Sequence, residues 1–187
     1  MYNGSYVHRD EAHRMIDYFQ QNGGKILDTA FNYHEAQDVI AESCWEGKII
    51  TKVWKPEELE LSMNRLNRKK LYCVMAREPN REIISHLHGA RLKGFVDKVG
   101  LSIYYPQELR EDVSVLHIPA NRLFDEYLPT MLLHADVIIR SVFMLGQNPK
   151  NIRALKEYDR PEINHTVDFC VGCDSLEQLK INMELFT

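Results

Sequence analysis

Seven short apolar runs recur along the chain, and segments with helical character separate most of them; no other feature restricts the fold so strongly. The runs are KILDTA (25–30), KIITKVW (48–54), KLYCVMA (70–76), DKVGLSI (97–103), VSVLHIPA (113–120), DVIIRSVFML (136–145) and VDFCVGC (167–173). Ahead of the first lies RDEAHRMIDYFQQNGG (9–24), with Ala12, Met15, Ile16 and Phe19 at helical spacing and a glycine pair as a stop. Helices are then expected at EAQDVIAESCWEG (35–47), PEELELSMNRLN (56–67), REIISHLHGARLKG (81–94), PQELRE (106–111), LFDEYLPTMLLH (123–134) and SLEQLKINMELF (175–186), with an irregular helical region from Asn151. Alternation of this kind implies a parallel sheet covered by helices. No glycine-rich phosphate loop follows any run, which argues against a Rossmann or P-loop arrangement. A barrel fits better, because Asp28, Lys52, Ser102, Asn121, Arg140 and Ser141 fall at or just past the C-terminal halves of strands, where barrel active sites are built.

At 187 residues the chain reads as a single domain, 1–187, with length enough for a hydrophobic core. A net charge of −4 advertises no nucleic-acid partner, and the basic run RLNRKK (65–70) reads as a solvated helix end. No apolar run is long enough for a membrane span, and the N-terminus lacks the apolar core of a signal peptide, so a cytoplasmic location is expected. Cys44 and Cys73 read as core thiols. Cys170 and Cys173 form a lone CxxC without a second half, and His86 and His88 stand at i, i+2 on a helix, pointing apart. No metal ligand set is assigned.

An aspartate closing an apolar strand requires a partner. Asp28 ends one such run, Tyr33 follows five positions later, and Lys52 stands at a similar strand end in IITK. With DTAFNY, IITK, KVGLSIYYPQEL, VLHIPAN, VIIRSVFMLG and VGCDSLEQLKINMEL in this order, the sequence resembles an aldo-keto reductase, most closely the short bacterial branch associated with surface-polysaccharide genes. The resemblance implies a TIM-like (β/α) barrel and NAD(P)H-dependent reduction of a carbonyl substrate, with Tyr33 as acid, Lys52 as its tuner and Asp28 as the anchor. It also implies cofactor contacts from Ser102, His117, Arg140, Ser141, Gly172, Ser175, Gln178 and Asn182.

Several positions depart from the family's pattern. The histidine expected at the end of the next strand is Met75 or Ala76, His34 replaces a usual glycine, and His117 stands for a glutamine. Asp174 sits where a 2′-phosphate would want a cation, so cofactor binding is expected to be weak. A chain beginning after the family's first strand, with a compressed Gln147–His165 region, supplies seven strands for an eight-strand barrel. The open edges that result predict self-association, unless the N-terminal GSYV fills the gap. A catalytically inactive scaffold or binding protein with the same fold is the alternative to an enzyme.

Overall fold

A computed structural model describes residues 7–104, 112–120, 134–142 and 167–186. Outside them lie the helical segment expected at 106–111, that expected at 123–134 up to residue 133, the irregular region from Asn151 to residue 166, the compressed Gln147–His165 stretch, Asn121, the sixth run beyond Val142 and residues 1–6 of the N-terminus.

Among the described residues seven strands form one parallel sheet in sequence order: β1 (Ile26–Asp28), β2 (Lys48–Val53), β3 (Leu71–Ala76), β4 (Val96–Ser102), β5 (Val115–Pro119), β6 (Asp136–Arg140) and β7 (Val167–Phe169). Each ladder is parallel, as the alternation requires. The described helices are α1 (Arg9–Gln21), α2 (Ala36–Glu42), α3 (Glu58–Arg65), α4 (Arg81–Leu92) and α5 (Leu176–Phe186).

Both faces of the sheet are apolar, but they differ in kind. Val74, Ala76, Val99, Leu101, Leu116, Ile118, Val137 and Ile139 join Ile83, Ile84, Leu87 and Ala90 of α4 in the larger core cluster, so this face meets the helices. Ile50, Cys73, Met75, Val115 and Ile138 form a smaller cluster built from strands alone. That second cluster is the inside of a curl. The curl brings the first and last strands together, since a ligand atom of Asp28 on β1 lies within 4.8 Å of one on Cys170, the residue after β7. Among the described residues β1 and β7 share no ladder. The helices bridge this seam: α1 packs on α5, and the Leu176 N–H donates to Glu11 Oε1 at 2.9 Å. The architecture is a shortened, TIM-like barrel of seven parallel strands.

Helix α2 ends at Glu42, earlier than the sequence suggests. Ser43 is the reason. Its hydroxyl donates to the Ile40 carbonyl at 2.7 Å and accepts from the Trp45 N–H at 3.3 Å, which breaks the helical ladder. Trp45 then turns inward to 2% exposure and stacks on Phe19 with centroids 5.8 Å apart. Cys44 is exposed, so it is not the core thiol expected; Cys73 is buried. Arg65 donates to the Phe31 carbonyl at 3.2 Å, Arg68 to the Trp45 carbonyl, and Lys70 pairs with Asp97 at 2.5 Å. The basic run thus ties together neighbouring loops and strands.

Gly100 marks the tightest point inside the curl. A Cβ there would meet Met75 Cγ at 2.8 Å, the Val115 carbonyl oxygen at 3.0 Å and Cys73 Sγ at 3.2 Å. Gly100→Ala is therefore expected to destabilise by about 1–3 kcal/mol through overpacking. A lowered denaturant midpoint would show it, whereas an unchanged midpoint would mean that Met75 can swing aside.

Candidate active site at the C-terminal ends of the strands

Small residues after β1 allow the chain to run close along β2. Thr29 and Ala30 are buried, the Thr29 N–H donates to the Ile50 carbonyl at 2.8 Å, and the Phe31 N–H donates to that of Lys52 at 3.0 Å. A turn follows, closed by the Tyr33 N–H on the Ala30 carbonyl at 3.1 Å. These bonds carry Tyr33 back over the end of β2. Its ring centroid is 5.4 Å from Lys52 Nζ, and the residue remains 44% exposed. His34, next in the turn, has φ 45 and is exposed. Glycine adopts that conformation without strain, which gives a physical reason for glycine at this place in the resemblance.

Lys52 is 2% exposed and donates to Asp28 Oδ1 and, at 3.0 Å, to the Thr29 carbonyl. Burial alone would push its pKa down. The carboxylate of Asp28, followed by Tyr33 and Cys170, outweighs that effect and holds the ammonium above its ordinary range. Asp28, Tyr33 and Lys52 therefore converge, as the sequence predicts. Met75 is the Cα partner of Lys52 in the ladder and is fully buried, so a thioether stands where the resemblance expects an imidazole.

Further round the sheet, Ser102 and His117 are ladder partners, with Ser102 Oγ 3.3 Å from His117 Nδ1. Burial, assisted by Lys52, Arg140 and Arg77 against the opposing pull of Asp28, pushes the His117 pKa down to about 3. The ring is neutral at pH 7, and its Nε2 is buried without a hydrogen-bond partner. Arg140 donates to the Ile103 carbonyl at 3.0 Å and lies 4.3 Å from the Tyr104 centroid, while its buried Nε has no partner. Arg77 lies at the same distance from that ring and donates to the Ser102 carbonyl at 3.3 Å. Ser141, the residue after β6, has φ 56, an uncommon value for a residue that carries a side chain.

The C-terminal residues make local bonds of their own. Ser175 Oγ accepts the Gln178 N–H at 3.2 Å, and Gln178 Oε1 accepts the Asp174 N–H at 2.8 Å. This is a reciprocal cap on α5. Asn182 is half-buried on the same helix, and a Cβ on Gly172 would meet nothing within 4 Å. Asp174 is exposed beside the cap.

Sequence reasoning missed two features. Cys170 joins Asp28 and His117 in one cluster of ligand atoms within 4.8 Å of each other. Strand parity held a signal, because Phe169 and Val171 pack on the helix-side core and Cys170 on the inner one. Burial pushes the Cys170 thiol up, and pushes Cys173 up to about 11, so neither is a reactive thiolate of the redox kind. The other omission is a cavity of about 410 Å³ lined by Trp54, Arg77, Glu78, Pro79 and Tyr104, just beyond β2, β3 and β4. At the opposite end, Lys98 pairs with Asp136 at 2.5 Å, away from the side where such barrels carry their chemistry.

No protein-family model matches the chain, and no curated protein matches it. Solved structures do. A Pseudomonas aeruginosa protein described as an aldo-keto reductase superposes with a TM-score of 0.80 at 18% identity, covering 99% of this chain and 83% of its own. An aldo/keto reductase from Klebsiella pneumoniae, in complex with NADP and acetate, gives 0.79 at 15% identity, with 98% and 82% covered. The holo form of an aldo-keto reductase from Bacillus halodurans gives 0.74 at 18% identity, with 96% and 82% covered. No helix among the described residues is long and apolar enough to cross a membrane. The chain has the fold of the aldo-keto reductases, in a shortened form.

Proposed function

We propose that this chain is a divergent member of the aldo-keto reductase family that reduces a carbonyl substrate with a nicotinamide cofactor. One observation carries the reading: a buried lysine, fixed by Asp28 and the Thr29 carbonyl, lies beneath the ring of an accessible tyrosine at the active end of the sheet.

The residues of the mouth suit the nicotinamide half of such a cofactor. Ser102 Oγ is a polar group for a carboxamide, and Arg140, with no carboxylate in ion-pair range among the described residues, suits a phosphate. The adenosine half is less well served. Ser175 and Gln178 cap α5, which leaves Asn182 for the base, and the charge of Asp174 disfavours a 2′-phosphate.

When bound, the cofactor supplies hydride to the carbonyl carbon. The chain's own part is the proton. An isolated phenol, with pKa near 10, holds its proton too firmly for this work at neutral pH. The Lys52 ammonium beneath the ring favours the phenolate and so eases proton release from Tyr33 Oη to the carbonyl oxygen. Asp28 keeps that ammonium charged and in place. The cavity beside Trp54 and Arg77 lies at the same end of the sheet, and neither Tyr33 nor Lys52 lines it.

Titration with both nucleotides, by fluorescence or calorimetry in chelator-containing buffer, tests the reading. Binding is expected with Kd above roughly 100 μM and tighter for NADH than for NADPH, because micromolar affinity corresponds to ~8 kcal/mol and few contacts are at hand. A preference for NADPH would contradict the effect ascribed to Asp174. Absence of binding at millimolar concentration would replace the enzyme by an inactive scaffold, the reading that buried Met75 favours.

A further inference from the structure

Inside the mouth, three side chains from three strand ends meet. Asp28 closes β1, His117 belongs to β5, and Cys170 follows β7; one ligand atom from each lies within 4.8 Å of the others. One of the three presents a buried atom with nothing to bond: His117 is 2% exposed and its Nε2 has no partner. Asp28 gives Oδ1 to Lys52, and its carboxylate otherwise faces the Cys170 thiol. Cys170 is a free thiol. Ser102 Oγ sits 3.3 Å from His117 Nδ1, and such a partner fixes the ring and turns the other nitrogen's lone pair inward.

We propose that Asp28 Oδ2, His117 Nε2 and Cys170 Sγ form a binding site for a divalent transition-metal ion, with zinc best suited to the donors. One oxygen, one nitrogen and one sulfur make a borderline-soft set, which suits zinc rather than magnesium or calcium. Metal–ligand distances of about 2.0–2.3 Å require donors somewhat closer than 4.8 Å, so the side chains must close by about 1 Å. Three protein ligands leave a fourth position for water. Because Oδ1 already serves Lys52, the ion can take Oδ2 without breaking that pair. Binding exchanges a proton for the metal: the Cys170 S–H bond breaks, an S–metal bond forms, and one proton goes to solvent. Carboxylate and thiolate then balance the two charges of the ion. The Lys52 ammonium and nearby Arg140 remain as opposing charges, which keeps the affinity below that of an all-anionic site.

A single buried water would satisfy Oδ2 and Nε2 as well, but it would leave the thiol protonated. Cobalt(II) separates the two. The chelator-treated full chain, without nucleotide, is titrated with cobalt while absorbance and proton release are followed. The expected result is a thiolate-to-cobalt charge-transfer band that saturates at one ion per chain with one proton released, and its reversal by added zinc. Cys170→Ser should abolish the band and Cys173→Ser should keep it. His117→Gln should weaken binding at least tenfold, and Ser102→Ala by about 10–100-fold, the usual effect of losing the group that orients a ligand. X-ray absorption of the zinc-loaded wild-type chain needs no variant to fold, and should show one sulfur with nitrogen and oxygen ligands. Absence of the band at millimolar cobalt, its survival in Cys170→Ser, or two sulfurs around zinc would overturn the site. None of these measurements involves nucleotide, so their failure leaves the reductase reading standing.

Discussion

Lys52→Met is expected to lower the unfolding free energy by about 3–5 kcal/mol, the range found when one partner of a buried ion pair is removed. The size follows from what remains. Lys52 is 2% exposed and its partner's side chain 17%, so the carboxylate of Asp28 would stay in the curl with no cation against it. Cys170 and His117, its other neighbours, are a thiol and a neutral ring. For a chain of this size each kcal/mol shifts the melting temperature by about 2–4 °C, so a fall of about 6–20 °C is expected in a thermal scan. Linkage sets the pH range. Since the folded pKa of Lys52 is raised, its contribution is fully present below the unfolded value near 10.4 and disappears as pH rises through the folded one. The gap between wild type and variant should therefore be constant around neutrality and close only in strong alkali. A loss under 1 kcal/mol at pH 7 would mean that water reaches the pair.

Tyr33→Phe should do the opposite: large in activity, small in stability. Removing a positioned general acid typically lowers a rate by about 10²–10⁴. The ring is 44% exposed and its contact with Lys52 Nζ runs through the ring, so little burial is lost and the melting temperature should hardly change. Aldehyde reduction followed by loss of reduced-nicotinamide absorbance is the readout. Equal rates for variant and wild type would mean that another group, and not Tyr33, donates the proton.

Much of the site was legible because its order along the chain is its order round the sheet. Asp28 and Lys52 end adjacent strands, and adjacency follows directly from parallel βα alternation. The five-residue step from Asp28 to Tyr33 is a local turn, held by bonds between near neighbours in sequence and by the end of β2. The sequence left Met75 or Ala76 at the next strand end, and the ladder sets Met75 opposite Lys52. Ser175 and Gln178 were harder. Their spacing is equally that of a ligand-facing helix edge and of a capping box, and the backbone N–H groups of α5 claim them as caps.

The sequence by itself determined the strands, their parallel order and the Asp–Tyr–Lys group, because apolar periodicity and short connections act over distances that a linear pattern records. It also determined that neither Met75 nor Ala76 can donate a hydrogen bond to a substrate. Helix α2's early end was decided by a side chain, Ser43, competing for backbone groups, and by the gap into which Trp45 fits. Only the tertiary structure decided that Cys170 lies against Asp28. These residues lie far apart along the chain, and they meet because strand twist accumulates from strand to strand until the sheet curls back on itself. The unpartnered Nε2 of His117 arises in the same way, since burial without a hydrogen bond depends on what the curl encloses and no spacing along the chain expresses it.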